Sequence, residues 1–253
     1  MKNYIIIVSH GHENLICSNE KLQEVLFFAT VIVKDNVGSP KLEEHCNRVG
    51  YVYLRVPLGL GFGANNNVSF VESGARDEDN ILLVNPDVVI DVAAVKAVVA
   101  KVVSNPGRVW GIDLYRDEKY LVPDFSARAF PTFWTFVSSF LFGVNHSVLE
   151  KGGCDGDVNV DWIAGSFMAF KARVYRELRG FDESYFMYCE DLDFCYRAAK
   201  SGFQTMVTMD VKAVHNAEHA NRKLFSKHFV WHVSSVFRFL MKRYFLFVHK
   251  SAL

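Results

Sequence analysis

Glu190, Asp191 and Asp193 lie within four residues of one another in the otherwise aromatic and apolar run Phe186-Met187-Tyr188-Cys189-Glu190-Asp191-Leu192-Asp193-Phe194-Cys195. Carboxylates are costly to bury, so acids set among Phe, Tyr, Met and Cys point to a bound cation, a handled proton or a substrate hydroxyl. Leu192, Cys195, Tyr196 and Ala199 recur at helical spacing, which predicts a helix opened by Glu190 and Asp191 and closed by Gly202. The partial positive charge of a helix N-terminus favours ionised carboxylates there. The same residues also fit a plain acidic first turn in which Asp193 pairs with Arg197 at the i,i+4 spacing.

Other candidates sit at the ends of apolar runs. In Leu83-Val84-Asn85-Pro86-Asp87 an acid just past a strand can hold Mg²⁺ or Mn²⁺, which take carboxylate and phosphate oxygens, or can simply end the strand in a Pro-Asp turn. Asp35-Asn36 offers paired acceptor and donor groups to a base or ribose, and also fits ordinary turn chemistry. Gly59 to Asn67 is a glycine-rich loop entering a helix, so its backbone N–H groups can approach a ligand closely. In Asp161-Trp162-Ile163-Ala164-Gly165-Ser166 an indole precedes a small-residue turn, an arrangement suited to stacking a sugar, with a core tryptophan as the rival. His215 ends the short run Val211–Val214 and is either structural or a metal ligand. There is no GxGxxG spacing after the first strand, no GxxxxGK[ST] loop, no HExxH and no GxSxG, which argues against dinucleotide enzymes, P-loop ATPases, zinc proteases and serine hydrolases.

The elements that must position these residues alternate through the first hundred positions. Strand-like Tyr4–Val8, Thr30–Lys34, Tyr51–Val56 and Ile81–Val84 are separated by helical stretches near Asn19–Phe28, Lys41–Arg48 and Ala64–Ser73, and a helix from Asp91, its N-cap, to Val103 follows. Continuous β-branched runs between helices imply an α/β fold with a mostly parallel sheet covered on both faces, and ligands in such sheets bind beyond the C-terminal strand ends. After about Gly107 the alternation gives way to shorter aromatic-rich segments, with Phe203–Met209 as a further strand. This reading divides one compact unit into a nucleotide half (1–106) and an acceptor half (107–218), followed by a basic aromatic segment (219–253).

With 253 residues, half of them hydrophobic, the chain can bury a sizeable core. Its 28 Lys and Arg balance 28 Asp and Glu, which argues against a general grip on nucleic acid. The asymmetry is local. From His219 to Leu253 there is no acid, while Arg222, Lys223, Lys227, Arg238, Lys242, Arg243 and Lys250 are interleaved with Phe225, Phe229, Trp231, Phe237, Phe239, Tyr244 and Phe247. That pattern reads as contact with an anionic membrane surface or, alternatively, as a helix packed on the core. Five cysteines without a CxxC pair suggest neither a disulfide framework nor a zinc site, and a reducing cytoplasm. The apolar N-terminal run is expected to be a strand rather than a signal peptide, and Ala129–Val144 is too short for a bilayer span.

Taken in order, YIIIVSHG, VKDN, GFGANNN, LLVNPDV, DWIAGSFMAF, GFDESYFMYCEDLDFCYR and AVH resemble the family-2 glycosyltransferases of the GT-A fold, over roughly residues 3 to 240. Within that family DWIAGSFM and YFMYCEDLDFC look most like rhamnosyltransferases of O-antigen and related cell-surface polysaccharide synthesis. The resemblance implies an inverting glycosyltransferase that moves L-rhamnose from dTDP-L-rhamnose to a GlcNAc or growing glycan on a polyprenyl diphosphate. It implies a divalent metal and a peripheral position on the cytoplasmic face of the inner membrane. By the same resemblance Asp191 is the catalytic base, with Glu190 beside it. Ser9, Asp35, Asn36, Gly63, Asn67, Asn85 and Asp87 face the nucleotide sugar; Trp162, Gly165 and Ser166 face the acceptor; Asp87 and His215 hold the metal. Where the family's metal motif has its first acid this chain has Asn85, one negative charge fewer. Other donors such as UDP-galactofuranose, a non-catalytic nucleotide-sugar scaffold and a nucleotidyltransferase are the competing readings. The last wants a basic loop after the first strand, and Ser9-His10-Gly11-His12-Glu13 supplies no Lys or Arg.

Overall fold

The computed structural model describes residues 1–142, 148, 155–216, 227–245, 249–251 and 253; for 137 and 139–142 only the backbone is described. Strand β1 (Asn3–Ser9) leads through helices α1 (Glu13–Ser18) and α2 (Glu20–Glu24) into β2 (Thr30–Asp35), then α3 (Pro40–Val49), β3 (Val52–Leu54), α4 (Phe62–Ser73) and β4 (Asn80–Val84). A short β5 (Val88–Val89) precedes α5 (Val92–Ser104) and β6 (Arg108–Tyr115). The second half adds β7 (Ala127–Arg128), α6 (Phe133–Phe142), β8 (Asp157–Val160), β9 (Trp162–Ile163), β10 (Phe167–Lys171) and α7 (Ala172–Glu177). Helix α8 (Glu190–Lys200), strand β11 (Gln204–His215) and helix α9 (Lys227–Tyr244) complete it.

The described residues build a nine-stranded sheet in the order β3-β2-β1-β4-β10-β6-β11-β5, with β8 paired to β11. Strands β3, β2, β1 and β4 run parallel, as the continuous apolar runs predict. Side chains alternate between two faces, so a strand buried on both sides must be apolar throughout. Ile5, Ile7, Val31, Val33 and Leu82 face a layer that includes Val95, Val98 and Val102 of α5. Tyr4, Ile6, Ile32, Ile81 and Leu83 face Phe70 of α4, Tyr175 of α7 and Phe194 of α8.

The second half departs from the simple reading. Strand β10, all five residues buried, runs antiparallel between β4 and β6. Strand β6 is missed by the sequence because Gly111 and Asp113 interrupt its apolar pattern. Gly111 is required by packing: a Cβ there would stand 3.1 Å from Ile163 Cγ2. Phe203–Met209 and Val211–Val214 are one strand, β11, with a register shift between Thr208 and Lys212 where it pairs with β6. The Asp91 cap is present, its carboxylate accepting from Ala94 N at 2.8 Å.

Candidate active site

Helix α8 opens from an unusual backbone. Tyr188 (φ 72°) and Cys189 (φ 62°) are consecutive non-glycine residues in the left-handed region, a conformation that costs on the order of 1–3 kcal/mol per residue and persists only where the surroundings impose it. The turn redirects the chain so that Asp191 Oδ2 accepts a hydrogen bond from Gly165 N at 2.9 Å, while Oδ1 accepts from Leu192 N at 2.8 Å. Gly165 sits close: a Cβ would meet Phe62 Cε1 at 3.0 Å and Asp191 Cβ at 3.6 Å. Next along the chain, the Ser166 carbonyl accepts from Asn85 N at 2.9 Å, and Ser166 Oγ is buried without a hydrogen-bond partner among the described residues. One continuous path therefore runs from the α8 acids through Gly165 and Ser166 to the Asn85–Asp87 loop at the end of β4.

The path continues to the end of β11. His215 Nε2 is 3.4 Å from Asp87 Oδ2, and His215 Nδ1 is 2.6 Å from Asp124 Oδ2. Burial works against protonation of His215, but Asp124 and Asp87 outweigh it and hold the imidazole up at about 9. The second oxygen of Asp87, Oδ1, is buried with no hydrogen-bond partner among the described residues. An orphaned carboxylate oxygen beside an imidazole that a second acid orients fits a divalent cation that displaces the Nε2 proton and takes oxygen and nitrogen ligands. Asp182, Asp193 and His249 also lie within reach of a common ion, their ligand atoms all within 4.8 Å of one another. The cation there is already the Lys242 ammonium, 2.9 Å from Asp182 Oδ2 and 2.6 Å from Asp193 Oδ1.

Electrostatics separates the α8 acids. Burial, then the neighbouring Asp191 charge, raises Glu190 well above the usual carboxylate range, and Glu190 Oε2 is buried without a hydrogen-bond partner among the described residues. Asp191 is also raised by burial, but the amides of Gly165 and Leu192 and the Arg128 guanidinium oppose the rise. The pair's first proton therefore rests on Glu190, leaving Asp191 the better candidate for an ionised base. Asp193 faces the other way and forms the expected pair with Arg197, 2.7 Å from Nε.

Several predicted donor contacts are redirected. Asp35 accepts from Val37 N, Gly38 N, Ser39 N and Tyr53 OH. Those four bonds use the lone pairs of both oxygens, so in this structure Asp35 shapes its own loop and has no acceptor left for a base. Asn36 binds both the N–H and the carbonyl of Leu60 and lies 3.1 Å from His10 Nδ1, so it ties the glycine-rich loop to the β1 end. Gly63 is needed for packing, since a Cβ would stand 2.8 Å from Phe181 Cβ. Asn67 is spent on Phe181, Glu183 and Tyr175 and faces the interior. Ser9 is buried and accepts from His12 N at 3.2 Å.

On the acceptor side Trp162 is half-buried, its indole N–H donating to Ala129 O at 3.0 Å. The Arg128 guanidinium stands 5.3 Å over its ring. The sequence alone singles out neither Arg128 nor Asp124. A Pro-Asp step at 123–124 was the only local sign of the latter. Of the basic C-terminal residues, Arg222 and Lys223, with Phe225 and Phe247, lie outside the described residues; Lys242 points inward, its side chain only 9% exposed. Arg238 stands 5.9 Å over the Tyr185 ring.

The mixed sheet, with acids and a histidine at its strand ends and an acid pair on the facing helix, has the GT-A glycosyltransferase fold. The sequence profile of the glycosyltransferase like family 2 matches residues 43–234, and the chain belongs to that family. Rhamnosyltransferase WbbL of Escherichia coli (strain K12) is 39% identical over 95% of this chain and 93% of its own length. An N-acetylglucosaminyl-diphospho-decaprenol L-rhamnosyltransferase of Mycobacterium tuberculosis is 31% identical over 34% of this chain and 28% of its own. Among solved structures, GalNAc-T7 with UDP, GalNAc and Mn2+ shares the fold with a TM-score of 0.64 at 14% identity, covering 85% of this chain and 44% of that one.

Proposed function

We propose that this glycosyltransferase moves L-rhamnose from dTDP-L-rhamnose, with inversion, onto a GlcNAc or growing glycan carried on a polyprenyl diphosphate. Both the E. coli and the M. tuberculosis relatives are named rhamnosyltransferases, and the name of the latter gives an N-acetylglucosaminyl-diphospho-decaprenol acceptor; the dTDP carrier rests on the family resemblance. The observation that carries the mechanism is the Asp191 carboxylate, held by the Gly165 amide at 2.9 Å and linked through Ser166 to the Asn85–Asp87 loop.

In this reading Asp191 takes the proton of the acceptor hydroxyl as it attacks the anomeric carbon from the face opposite the leaving diphosphate. Glu190, held protonated by burial, keeps a second negative charge away from that hydroxyl. Ser166 Oγ is free to bond a sugar or phosphate oxygen, and Trp162 with Arg128 forms the acceptor-side wall. Asp87 and His215 would hold the divalent metal, Mg²⁺ or Mn²⁺, with Asp124 fixing the imidazole; Mn2+ accompanies the structural neighbour. When bound, the metal supplies Lewis-acid stabilisation of the departing diphosphate. Asn85 leaves that stabilisation with one charge fewer.

The test is transfer from a panel of nucleotide sugars to a synthetic GlcNAc-diphosphate-lipid, with Mg²⁺ or Mn²⁺ added and Asp191→Asn as control. Rhamnose transfer is expected, with kcat reduced about 10²–10⁴-fold in the variant and its thermal midpoint kept. Transfer of another sugar alone would overturn the donor, and a fully active Asp191→Asn would overturn the base.

A further inference from the structure

Helix α9 touches the segment 182–193 along its inner face. At its start the Tyr188 hydroxyl lies 3.0 Å from His228 Nδ1, and the Trp231 ring stands 4.8 Å from that of Phe186. One turn on, Ser235 Oγ donates to the Met187 carbonyl at 2.9 Å. Phe239 is fully buried against Tyr185, Cys189 and Leu192. Near the end of the helix Lys242 donates a hydrogen bond to Asp182 Oδ2 and forms an ion pair with Asp193 Oδ1 at 2.6 Å, the two carboxylate side chains being 2% and 0% exposed.

These contacts bracket the left-handed pair Tyr188–Cys189 from both sides. Asp182 precedes it in the chain, where its carboxylate also accepts from Ser184 N and Oγ. Asp193 follows in the first turn of α8. Successive residues of a helix are turned by about 100°, so Asp193 projects roughly 200° round from Asp191. A pull on Asp193 from beneath therefore sets the rotation of the turn that carries Asp191 above. Arg197 supplies the second cation, bonding Asp193 Oδ2 and the carbonyls of Leu178 and Gly180. Two acids and two bases make a charge-balanced buried group.

From this arrangement we propose that α9 belongs to the transfer machinery, with Lys242 as a positioning residue: its ammonium clamps Asp182 to Asp193 across the strained turn and so fixes the direction in which Asp191 faces. The proposal rests on Asp191 as the base. It assigns to Lys242 a task that a membrane-facing lysine would not have.

The experiment uses the full chain with Lys242→Met, Lys242→Arg, and the double variant Asp182→Asn with Lys242→Met, which keeps the buried charge balanced and guards against simple unfolding. Two readouts are taken: steady-state transfer, and amide hydrogen exchange across Met187–Asp193. In Lys242→Met and in the double variant kcat is expected to fall about 10²-fold, the cost of a misplacement near 1 Å. Donor KM should stay within about twofold, since donor binding does not use the clamp. Exchange across the turn should quicken while the β1 and β4 amides stay protected, and Lys242→Arg should recover most of both. A folded double variant with parental kcat and parental exchange would overturn the proposal. An inactive wild type would count against the transferase chemistry instead, and exchange across the turn would still decide whether Lys242 holds it.

Discussion

Adjacent buried carboxylates repel, and Glu190 and Asp191 meet that cost differently. Asp191 is given the Gly165 and Leu192 amides and a nearby guanidinium; Glu190 has only its own backbone amide to set against burial and the Asp191 charge, and holds a proton instead. The stability consequence has a definite sign. Glu190 has a folded pKa above its unfolded value of about 4.3, so the native state retains a proton that the unfolded chain has lost. Stability therefore falls as pH rises from that value through the folded pKa. Glu190→Gln should remove this slope, so the variant should be more stable than the parent at pH 7 and close to it below the unfolded pKa. Urea denaturation at both pH values checks this; a variant less stable at pH 7 would show that Glu190 is ionised in the fold. With Asp191 as the proposed base, the acid limb of kcat is expected at an apparent pKa above the ordinary aspartate range.

Helix α4 and the turn before α8 meet through backbone rather than side chains. Phe62 N donates to Phe186 O at 3.1 Å, and a Cβ on Gly61 would stand 2.3 Å from that oxygen. Gly61→Ala is therefore expected to force the two elements apart and cost about 1–3 kcal/mol, with loss of transfer beyond what stability explains because the same turn carries Asp191. Thermal melts and kcat on one preparation separate the two effects; an alanine variant of parental stability would show that the loop gives way freely. The glycine-rich loop was legible in the sequence as a close approach, but its partner was not. The chain announces Gly59 to Asn67 through composition, whereas Phe186 reaches it only after the sheet brings distant segments together. Asp124 and His215 make the same point, since they meet across 91 positions. Strand ends such as Asn85–Asp87 were legible because a fully buried strand must be continuously apolar, so its last residue marks itself. Asp35 shows the limit of that logic: its position at the strand end was correct, and its bonds turned back on its own loop.

At the scale of the whole molecule α9 presents two apolar faces. Phe239 and Ser235 are buried against the acid turn, while Val230, Val233, Phe237 and Tyr244 are 59%, 47%, 65% and 57% exposed on the outside. Residues 230, 237 and 244 are spaced by seven, so they lie along one line of the helix. No described helix is long and apolar enough to cross a membrane. A stripe of this kind, on a helix that carries Lys227, Arg238 and Arg243 and no acid, suits the boundary of an anionic bilayer, where each basic residue contributes about 1 kcal/mol. The double variant Val230→Ser with Phe237→Ser should weaken flotation with vesicles containing anionic lipid, and the parent's binding should fall as salt is raised, because screening removes the electrostatic part. Transfer to a short-chain soluble acceptor should be unchanged, since neither residue touches the acid turn, while transfer to a vesicle-borne acceptor should drop. Equal loss on both acceptors would mean that the outer face supports the fold. Unchanged flotation would mean that membrane contact, if the protein makes it, lies elsewhere on the surface.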